Sequence, residues 1–510
     1  MQPMRVLFAS TAAFRQTPAG PTSDLASARY RVLIPAQQLA RLGHVAQVGT
    51  PGPLGYPDAV KQAEVDVLVI SKSFDPQNEA LGRAMKARGV RVVVDFCDDH
   101  FAHPERGAHF RNLAAIADTI VASTPPMAES VKANTGREAI VITDPIEGPR
   151  GAPRFQPRFP RLRVLWFGHH LNLNGLIDKA PELHALAARF PVHLSVVTTG
   201  APEAAAIVAQ VVAGQGDRLR GELVPWSVEA TWKALADCDL VWIPVADSPD
   251  KAVKSPNRMF ESLWAGKPVV ADAIPAYAPY ADLMPVGSGL ESGAMTLLAN
   301  PAEAEKRIAE AQRRVARTHS AFACGNAWAR ALGDAAERPM RLNLGCGDKI
   351  LPGYVNVDVV EARAGMKPDV ICDLHDLAPF GDATADEILS VHVVEHFWRW
   401  EIRDVLREWA RVLKPGGRMI VECPNILSAC QTFLENPAQF ARADQSGQRT
   451  MWVFYGDPQW KDPLMIHRWG YTPESLKALL AEAGLADVRQ EPAQFKLKEP
   501  RDMRVVGVKP

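Results

Sequence analysis

Short apolar runs alternate with amphipathic stretches along almost the whole chain. Runs such as RVLFA (5–9), RVVVDF (91–96) and LRVLWF (162–167) have the length of strands, and a segment with helical periodicity follows each of them. Parallel strands covered by helices on both faces produce this alternation. The pattern therefore predicts an α/β fold.

The candidate strands fall into three sets, which two stretches rich in Pro, Gly and charged residues separate. In chain order the sets are MRVLFAS, AQVGT, VDVLVIS, RVVVDF, TIVAS and AIVIT; then LRVLWFG, VHLSVVT, RGELVP, LVWIPV and KPVVADA; then LNL, DVICDL, EILSVH, GRMIVECP and RVVGV. Helical periodicity at residues 27–42 stops before Gly43, and residues 302–331 are predicted to form one helix. Each set is predicted to form one Rossmann-like sheet.

A chain of 510 residues is too long for a single core, so several domains are expected. The three sets predict domains at 1–145, 162–333 and 341–510, with linkers at 146–161 and 334–340. Each predicted domain has the usual size of an α/β unit.

The composition narrows the classes of partner. The net charge of −1 gives no electrostatic basis for nucleic-acid binding, and no apolar run approaches the roughly 18 residues that span a bilayer. Seven scattered cysteines, with no C-x-x-C pair and no His/Cys cluster at zinc spacing, predict reduced thiols and no metal site. A cytoplasmic protein is expected, and peripheral membrane association stays compatible with these properties.

The segment KSPNRMFESLWAGKPVVA, which begins at Lys254, carries a candidate phosphate site. Ser255 and Pro256 are predicted to cap a helix whose start lies between the cations Lys254 and Arg258. Free backbone N–H groups, the helix dipole and two cations suit a pyrophosphate, and Glu261 one turn later suits a ribose diol. A capped surface helix with a solvated charge pair is the alternative.

Within this segment, NRMFESLWAGKPVV resembles the nucleotide-sugar helix of retaining GT-B glycosyltransferases, of the group 1 or family 4 type. The resemblance covers residues 1–333 and implies two facing domains, with the acceptor on the first and the sugar donor on the second. The implied donor-binding residues are Glu261 on the ribose, Lys254, Asn257 and Arg258 near the diphosphate, and Gly168 in the loop FGHHLNLNGL. Lys254 and Arg258 would stabilise the leaving diphosphate and so act in catalysis.

Two features depart from that family. The first glutamate of its E-x7-E pattern is Val253 here, and STAAFRQTPAGPTSD replaces a tight glycine turn near the amino terminus. The identity of the sugar therefore stays open, as does loss of transferase activity. Asp98, Asp99 and His100 follow a strand where they either face the cleft or cap the next element.

In the third set, LNLGCGDKILPGYVNVDV (342–359) places Gly345 and Gly347 directly after a strand. A dinucleotide fingerprint would continue with a third glycine, where this chain has Ile350, and with an acid about 20 residues on. Asp358 follows Gly345 by only 13 residues, which leaves little room for a crossover helix. A nucleoside without a diphosphate fits better than NAD, and a dehydrogenase is disfavoured.

Six motifs in order resemble class I S-adenosylmethionine-dependent methyltransferases across residues 341–508. They are LNLGCG, NVD, ICDL, SVHVVEHF, VLKPGGRMIVECPN and HRWGYTPESLKALLAEAGL. The resemblance implies S-adenosylmethionine as cofactor, bound by Asn343, Gly345, Cys346 and Gly347 in the glycine loop, Asp358 on the ribose, Asp373 and Leu374 beside the adenine, and Ser390. The K-P-G-G sequence at 414–417 is predicted to be a turn before a strand.

Three histidines are candidate general bases for methyl transfer to a hydroxyl. His467 is preferred, because it lies in the aromatic-rich stretch after MWVFYGD (451–457), where this fold inserts its acceptor lid. His392 and His396 are the other candidates, and a packed structural role is the alternative for His396.

Together these observations predict a bifunctional glycosyltransferase and methyltransferase that acts on a bacterial polysaccharide or glycoconjugate. A nucleotide-diphosphate sugar would be its co-substrate. Two alternatives stay open: an active methyltransferase joined to a degenerate glycan-binding module, and an assembly protein without catalysis.

Overall fold

The structure, a computed structural model, describes residues 3–17, 20–52, 55–74, 76–199, 202–246, 252–333, 339–438, 445–495 and 501–510. The chain forms two compact units, Met1–Ala335 and Ala336–Pro510. The division lies inside the stretch that the sequence predicts as the second linker.

The first unit begins with a six-stranded parallel sheet of order β4-β1-β5-β6-β7-β8. Its strands and the small hairpin β2-β3 are β1 Arg5–Ala9, β2 Arg15–Thr17, β3 Gly20–Thr22, β4 Val45–Gly49, β5 Val67–Ser71, β6 Arg91–Phe96, β7 Thr119–Ala122 and β8 Ile140–Val141. The helices of this region are α1 Ala26–Ala28, α2 Ile34–Arg41, α3 Asp58–Lys61, α4 Pro76–Ala87, α5 Gly107–Ile116 and α6 Pro125–Thr135.

A five-stranded parallel sheet of order β11-β10-β9-β12-β13 completes the first unit. Its strands are β9 Leu162–Phe167, β10 Val192–Thr198, β11 Leu219–Pro225, β12 Leu240–Ile243 and β13 Val269–Ala271. The helices are α7 Asn174–Asp178, α8 Ala180–Arg189, α9 Pro202–Val212, α10 Val228–Asp237, α11 Asn257–Trp264, α12 Leu290–Ala299, α13 Pro301–His319 and α14 Ala321–Ala331. Helix α14 returns to the first sheet, where the buried Trp328 ring lies 6.0 Å from that of Phe8.

The second unit is a seven-stranded sheet of order β16-β15-β14-β17-β18-β20-β19. The strands are β14 Arg341–Leu344, β15 Val355–Asp358, β16 Val370–Ile371, β17 Ala385–Val391, β18 Leu413–Pro424, β19 Ala486–Glu491 and β20 Asp502–Val508. Strand β20 pairs antiparallel with both β18 and β19, and the other pairs are parallel. The helices are α15 Ile402–Val412, α16 Ile426–Glu435, α17 Gln445–Tyr455 and α18 Pro473–Glu482.

Several local predictions differ from the structure. A π-helical turn at Arg29–Leu33 interrupts the first helix, and Ser320 divides the helix predicted at 302–331 because its hydroxyl caps α14. The K-P-G-G sequence lies inside β18 as an irregularity of the ladder, with Gly416 at φ 79°, and does not precede the strand. The hairpin β2-β3 and strand β19 were not predicted.

No helix in the described part of the chain is both long and apolar enough to cross a membrane.

Candidate functional site

Helix α11 begins in a different way from the sequence prediction. Pro256 occupies the N-cap position without a side-chain cap, so the predicted Ser255 cap is wrong. The Ser255 hydroxyl is instead buried, with no hydrogen-bond partner among the described residues. The helix ends at Trp264, and Gly266, at φ 79°, stops it as predicted. The backbone N–H groups of the first turn consequently lack a side-chain cap.

Arg258 and Gly168 line the same place at the carboxyl end of β9. A side chain at Gly168 would lie 3.6 Å from Arg258 Cδ, and the Arg258 guanidinium lies 6.0 Å from the centre of the Trp166 ring. Arg258 Nη1 is buried and has no hydrogen-bond partner in the described part of the chain. A buried guanidinium nitrogen without an acceptor is costly unless a ligand supplies one.

Lys254 reaches across to the first sheet. Its Nζ lies 2.6 Å from Asp98 Oδ1, and Lys72 binds the other carboxylate oxygen. Although burial alone would raise it, these two cations hold the pKa of Asp98 well below its usual range. Lys254 therefore has an anionic partner that a diphosphate could replace.

Glu261 lies in a cluster of acidic and phenolic groups. Tyr30, from the π-helical turn, donates its hydroxyl to Glu261 Oε1, and the same hydroxyl lies 3.3 Å from Glu147. Arg29 binds both oxygens of Glu147 at 2.9 and 3.0 Å. Burial, and secondarily the charge of Glu147, raises the pKa of Glu261 to about 7. The carboxyl group predicted to hold a ribose therefore titrates near pH 7 and accepts a hydrogen bond from Tyr30.

Asn257 joins α11 to a buried ion network. Its Nδ2 donates to Asp144 Oδ2 at 2.8 Å, and Asp144 also binds Arg31 Nη1 at 3.1 Å. Arg31, wholly buried, makes two further bonds to Asp95, at 3.0 and 2.5 Å. Sequence reasoning missed Arg29, Tyr30 and Arg31; three consecutive polar residues on a helix otherwise predicted to pack on a sheet were the available signal.

The structure also shows the surroundings of Val253, Asp99 and His100, the residues discussed with the departures from the glycosyltransferase pattern. Val253 replaces the first glutamate of the E-x7-E pattern, and its side chain is buried in the apolar core of the first sheet. Asp99 accepts from the Phe101 backbone at 3.1 Å and from Ser130, and it does not cap the next helix, α5, whose N-cap residue is Arg106. Burial lowers the pKa of His100, whose ring lies 5.3 Å from Phe74.

In the second unit, the glycine loop after β14 turns tightly. Gly345 and Gly347 have φ of 68° and 55°, a region that favours glycine. A Cβ on Gly345 would lie 2.5 Å from Val393 Cγ2. The backbone N–H groups of Gly345 and Cys346 both donate to the Val357 carbonyl, at 2.8 and 3.1 Å. The loop therefore brings its backbone close to the end of β15.

Asp358 ends β15 facing this loop. One carboxylate oxygen accepts from Gly347 N at 2.7 Å and the other from Val360 N at 3.1 Å. A carboxylate has about four lone-pair sites, so each oxygen keeps one for a ligand. Asp358 is 6% exposed and lines a cavity of about 440 Å³.

The cavity has the size and lining of a nucleoside site. It falls in the usual range of about 300–1,000 Å³ for ligand pockets. Its apolar wall includes Leu374, Phe397 and Trp460. At its rim, Asp373 Oδ1 binds His375 Nδ1 at 2.8 Å, and this carboxylate raises the pKa of His375.

Three other predicted cofactor residues have different placements. Asn343 lines the cavity, but its Nδ2 bonds Asn356 at 2.9 Å and the Lys349 carbonyl at 3.0 Å, so it holds the loop in place. Cys346 also lines it, and burial raises the pKa of its thiol to about 12. Ser390 lies in β17 with its hydroxyl buried and without a partner among the described residues, outside the cavity wall.

The candidate bases surround one buried carboxylate; His392, Glu395, His396 and His467 are called the histidine cluster below. His392 Nδ1 lies 3.4 Å and His467 Nε2 3.9 Å from Glu395 Oε1. Burial opposes ionisation of Glu395, but the neighbouring histidines, His392 first, lower the pKa of its carboxyl to about 2. Burial lowers the pKa of His396. His392 and His396 line the cavity; His467, whose ring lies 5.0 Å from that of His396, does not.

The comparisons with known proteins agree with these two halves. The family model described as a methyltransferase domain matches residues 353–421, directly after the glycine loop. The chain carries a methyltransferase domain. No match was found among curated proteins.

Solved structures resemble the first unit. Anabaena HepE in complex with UDP has a TM-score of 0.50 at 15% identity, over 65% of this chain and all of that one. A glycosyltransferase from Rickettsia africae has a TM-score of 0.50 at 11% identity, over 66% of this chain and all of that one. At such identities the likeness shows the fold alone: the first unit has the GT-B fold.

Proposed function

We propose that the protein transfers a sugar from a nucleotide sugar with its first unit and a methyl group from S-adenosylmethionine with its second. The observation that carries the methyl half is Asp358, whose oxygens each accept one backbone N–H, from Gly347 in the glycine loop and from Val360, and which lines a cavity of nucleoside size. The remaining acceptor sites of its carboxylate suit the two hydroxyls of a ribose.

The residues of the cavity fit S-adenosylmethionine, which supplies an electrophilic methyl group. Gly345 and Gly347 admit its amino-acid portion, Asp358 holds its ribose, and Asp373 with Leu374 borders its adenine. Asn343 and Cys346 shape the loop around it. Ser390, in β17, does not line the cavity and has no direct contact with the cofactor in this proposal. Fixed orientation of the reacting groups accounts for a large part of the rate in such transfers, about 7–11 kcal/mol for well-aligned groups.

The histidine cluster activates the acceptor hydroxyl. His396 donates Nδ1–H to the Ile466 carbonyl at 3.1 Å, which leaves the lone pair on Nε2. Because His396 lines the cavity, it is the member that we place closest to the acceptor; His392 shares that wall, and His467 does not line it. Activation of this kind contributes about 100- to 10,000-fold in rate.

The glycosyl half rests on α11. Arg258 presents a guanidinium nitrogen without an acceptor, beside Gly168 and the uncapped first turn, where a diphosphate fits. Lys254 exchanges Asp98 for the same diphosphate, Asn257 orients the helix start through Asp144, and Glu261 hydrogen-bonds the ribose. UDP in the structure of HepE supports a nucleoside diphosphate as the leaving group.

The acceptor in this proposal is a bacterial polysaccharide or glycoconjugate that the one chain both extends and methylates. Joining two activities on one chain raises the effective concentration of the second at the product of the first. The seven free cysteines support a cytoplasmic location.

Two experiments on the full chain test the proposal. Calorimetry with S-adenosylmethionine is expected to show one site, and incubation with UDP-sugars is expected to release UDP. Absence of cofactor binding would remove the methyl half, and absence of UDP release with every sugar would remove the glycosyl half.

A second candidate function keeps only the methyl half. Val253 is buried in an apolar core where relatives carry a donor-side glutamate, which favours a first unit that binds glycan without turning over a donor. UDP-sugar turnover by the full chain distinguishes this candidate from the bifunctional enzyme, because only the bifunctional enzyme turns over a donor.

A further inference from the structure

The carboxylate at the centre of the histidine cluster has unmet bonding capacity. Glu395 is 2% exposed, and neither of its side-chain oxygens accepts a well-aligned hydrogen bond in the described part of the chain; the nearest nitrogen of His392, Nδ1, lies 3.4 Å from Oε1. A buried carboxylate without donors is strongly disfavoured unless a cation or a proton meets it. The position therefore requires an explanation beyond packing.

The two histidines beside Glu395 each keep one ring nitrogen without a proton. His396 donates Nδ1–H to the Ile466 carbonyl at 3.1 Å, and His467 donates Nδ1–H to the Val453 carbonyl at 2.9 Å. A carbonyl oxygen only accepts, so in the neutral rings both Nε2 atoms carry a lone pair. His467 Nε2 lies 3.9 Å from Glu395 Oε1, and neither atom of that pair then has a proton to share.

This arrangement is the one that metal-binding histidines adopt. Such a histidine commonly gives its second N–H to a backbone carbonyl or carboxylate, which fixes the tautomer and aims the other nitrogen at the ion. One ligand atom from each of Glu395, His396 and His467 lies within 4.8 Å of the others. Two ligand atoms of a tetrahedral zinc ion lie about 3.4 Å apart, so the most widely separated pair needs to close by about 1.4 Å at most.

We propose that Glu395, His396 and His467 bind a divalent first-row transition metal ion, of which Zn²⁺ is the preferred type. Two imidazoles and one carboxylate form a ligand set that favours such ions over Mg²⁺ or Ca²⁺, which prefer oxygen ligands throughout. With three protein ligands, one coordination position stays open, as in catalytic zinc sites.

The site adjoins the proposed methyl-transfer cavity through His396, which belongs to both. If the proposed function holds, the ion takes over activation from His396, whose Nε2 is then a ligand and no longer a base: the open position accepts the acceptor hydroxyl and lowers its pKa, as a metal ion does for bound water. His392, with Nδ1 3.4 Å from Glu395 and Nε2 3.2 Å from Asp502, lies beside the ligand set and orients the carboxylate. Only this consequence rests on the proposed function; the binding of the ion does not.

Sequence spacing gave no signal for this site. His392, Glu395 and His396 are close together in the chain, but His467 is remote and reaches them only because backbone N–H groups of Arg468 and Trp469 donate to the Glu395 carbonyl, at 2.7 and 3.2 Å. The expectation of no metal site, which rested on spacing alone, is thereby replaced by a proposal.

The test uses the full-length protein after removal of metals with a chelator, and CoCl₂ as probe. We expect about one equivalent of Co²⁺ to bind with the visible d–d absorption of a low-coordinate site, and added ZnCl₂ to displace it. Glu395→Gln and His396→Ala are expected to weaken Co²⁺ binding by more than about tenfold, since loss of even an outer partner costs about 10- to 100-fold. His375→Ala, which removes the other histidine of this unit, is the matched control and should bind Co²⁺ as wild-type does.

One variant marks the ligand directly. His396→Cys is expected to keep the ion and add a thiolate-to-cobalt charge-transfer band. Wild-type protein without d–d absorption would overturn the proposal and leave a protonated histidine as the partner of Glu395, whether or not any variant folds. Unaltered binding in both Glu395→Gln and His396→Ala, or a cobalt spectrum of His396→Cys without charge transfer, would place the ion elsewhere.

The readout is independent of catalysis. Metal binding by a protein that transfers no methyl group would retain this site and remove the proposed function. Methyl transfer by a protein that binds no metal would do the reverse.

Discussion

The chemistry that we propose for each unit depends on single side chains, and the neighbours of each side chain determine its charge and its free hydrogen-bonding capacity. Asp358, at the end of β15, and Glu261, inside α11, are both carboxylates predicted to hold a ribose. Asp358 accepts two backbone N–H groups, whereas Glu261 faces Tyr30 and Glu147. The carboxylate of Asp358 therefore presents acceptor oxygens in one unit, whereas the carboxyl group of Glu261 titrates near pH 7 in the other.

Asp358→Ala should weaken the binding of S-adenosylmethionine roughly 10- to 150-fold, because hydrogen bonds to a charged group contribute about 1.5–3 kcal/mol. Titration calorimetry measures the change. Asp404→Ala, on the exposed face of α15, is the matched control and should bind as wild-type does. Equal affinity in the two variants would show that Asp358 does not contact the cofactor.

Arg258→Ala should reduce release of UDP from a UDP-sugar by about 100- to 1,000-fold, the usual effect of removing one donor that stabilises developing charge. Arg258 also hydrogen-bonds Tyr277, so the melting temperature of the variant is recorded to confirm that the fold persists. Arg313→Ala removes a half-exposed ion pair on α13 and serves as control. A release rate equal to that of the control would show that the diphosphate does not bind at the start of α11.

The carboxyl of Glu261 predicts a pH dependence of stability. Its pKa is about 7 in the folded protein and about 4.5 when unfolded, so the folded state binds the proton more tightly. Between these values the unfolded state holds fewer protons, and the free energy of unfolding falls as pH rises. Below pH 4.5 both states are protonated, and above pH 7 the loss is complete.

Gln at position 261 cannot ionise, so the Glu261→Gln variant should lose this pH-dependent part of the free energy of unfolding. The melting temperature of the variant relative to wild-type is expected to rise as the pH goes from 4.5 to 7, as scanning calorimetry would record. Glu129→Gln, on an exposed turn of α6, should follow the wild-type profile. A difference between Glu261→Gln and wild-type that stays constant over this range contradicts the assignment.

At the scale of elements, periodicity predicted the strands well and their junctions poorly. RVVVDF and VHLSVVT occupy the residues predicted, since continuous apolar runs have one way to be buried in a parallel sheet. The N-cap of α11 was wrong because Pro256, and not Ser255, has the half-helical backbone. Such one-residue shifts depend on tertiary contacts that a local pattern does not contain.

The candidate sites divide in the same way. Motif order led to Asp358 and the glycine loop, because a strand end followed by a tight turn is a local feature. Tyr30 beside Glu261, and His467 beside Glu395, join distant segments and became visible only in the fold. His467 was preferred as base from its aromatic neighbourhood, yet it is not among the residues that line the cavity.

The glycine loop provides the prediction at this scale. Gly345→Ala places a Cβ 2.5 Å from Val393 Cγ2, in addition to the cost of a positive φ. Overpacking of this kind costs about 1–3 kcal/mol, so binding of S-adenosylmethionine should weaken by about tenfold. Gly353→Ala has a positive φ but no atom within 4 Å, and so tests backbone strain alone. Equal affinities in the two variants would show that the close approach to Val393 does not shape the site.

For the whole molecule, the central claim is that one chain adds a sugar and a methyl group to the same glycan. Two compact units, one with the GT-B fold and one with a methyltransferase domain, support it. The claim predicts two separable losses, because Arg258 and Asp358 belong to different units.

Mass spectrometry of the glycan from cells that lack the protein, and from the same cells producing wild-type, Arg258→Ala or Asp358→Ala protein, tests this claim most directly. Without the protein, one sugar and one methyl group should be missing together. Wild-type protein should restore both, Asp358→Ala the sugar alone, and Arg258→Ala should leave the sugar missing. A glycan that lacks only the methyl group in the absence of the protein would contradict the bifunctional account.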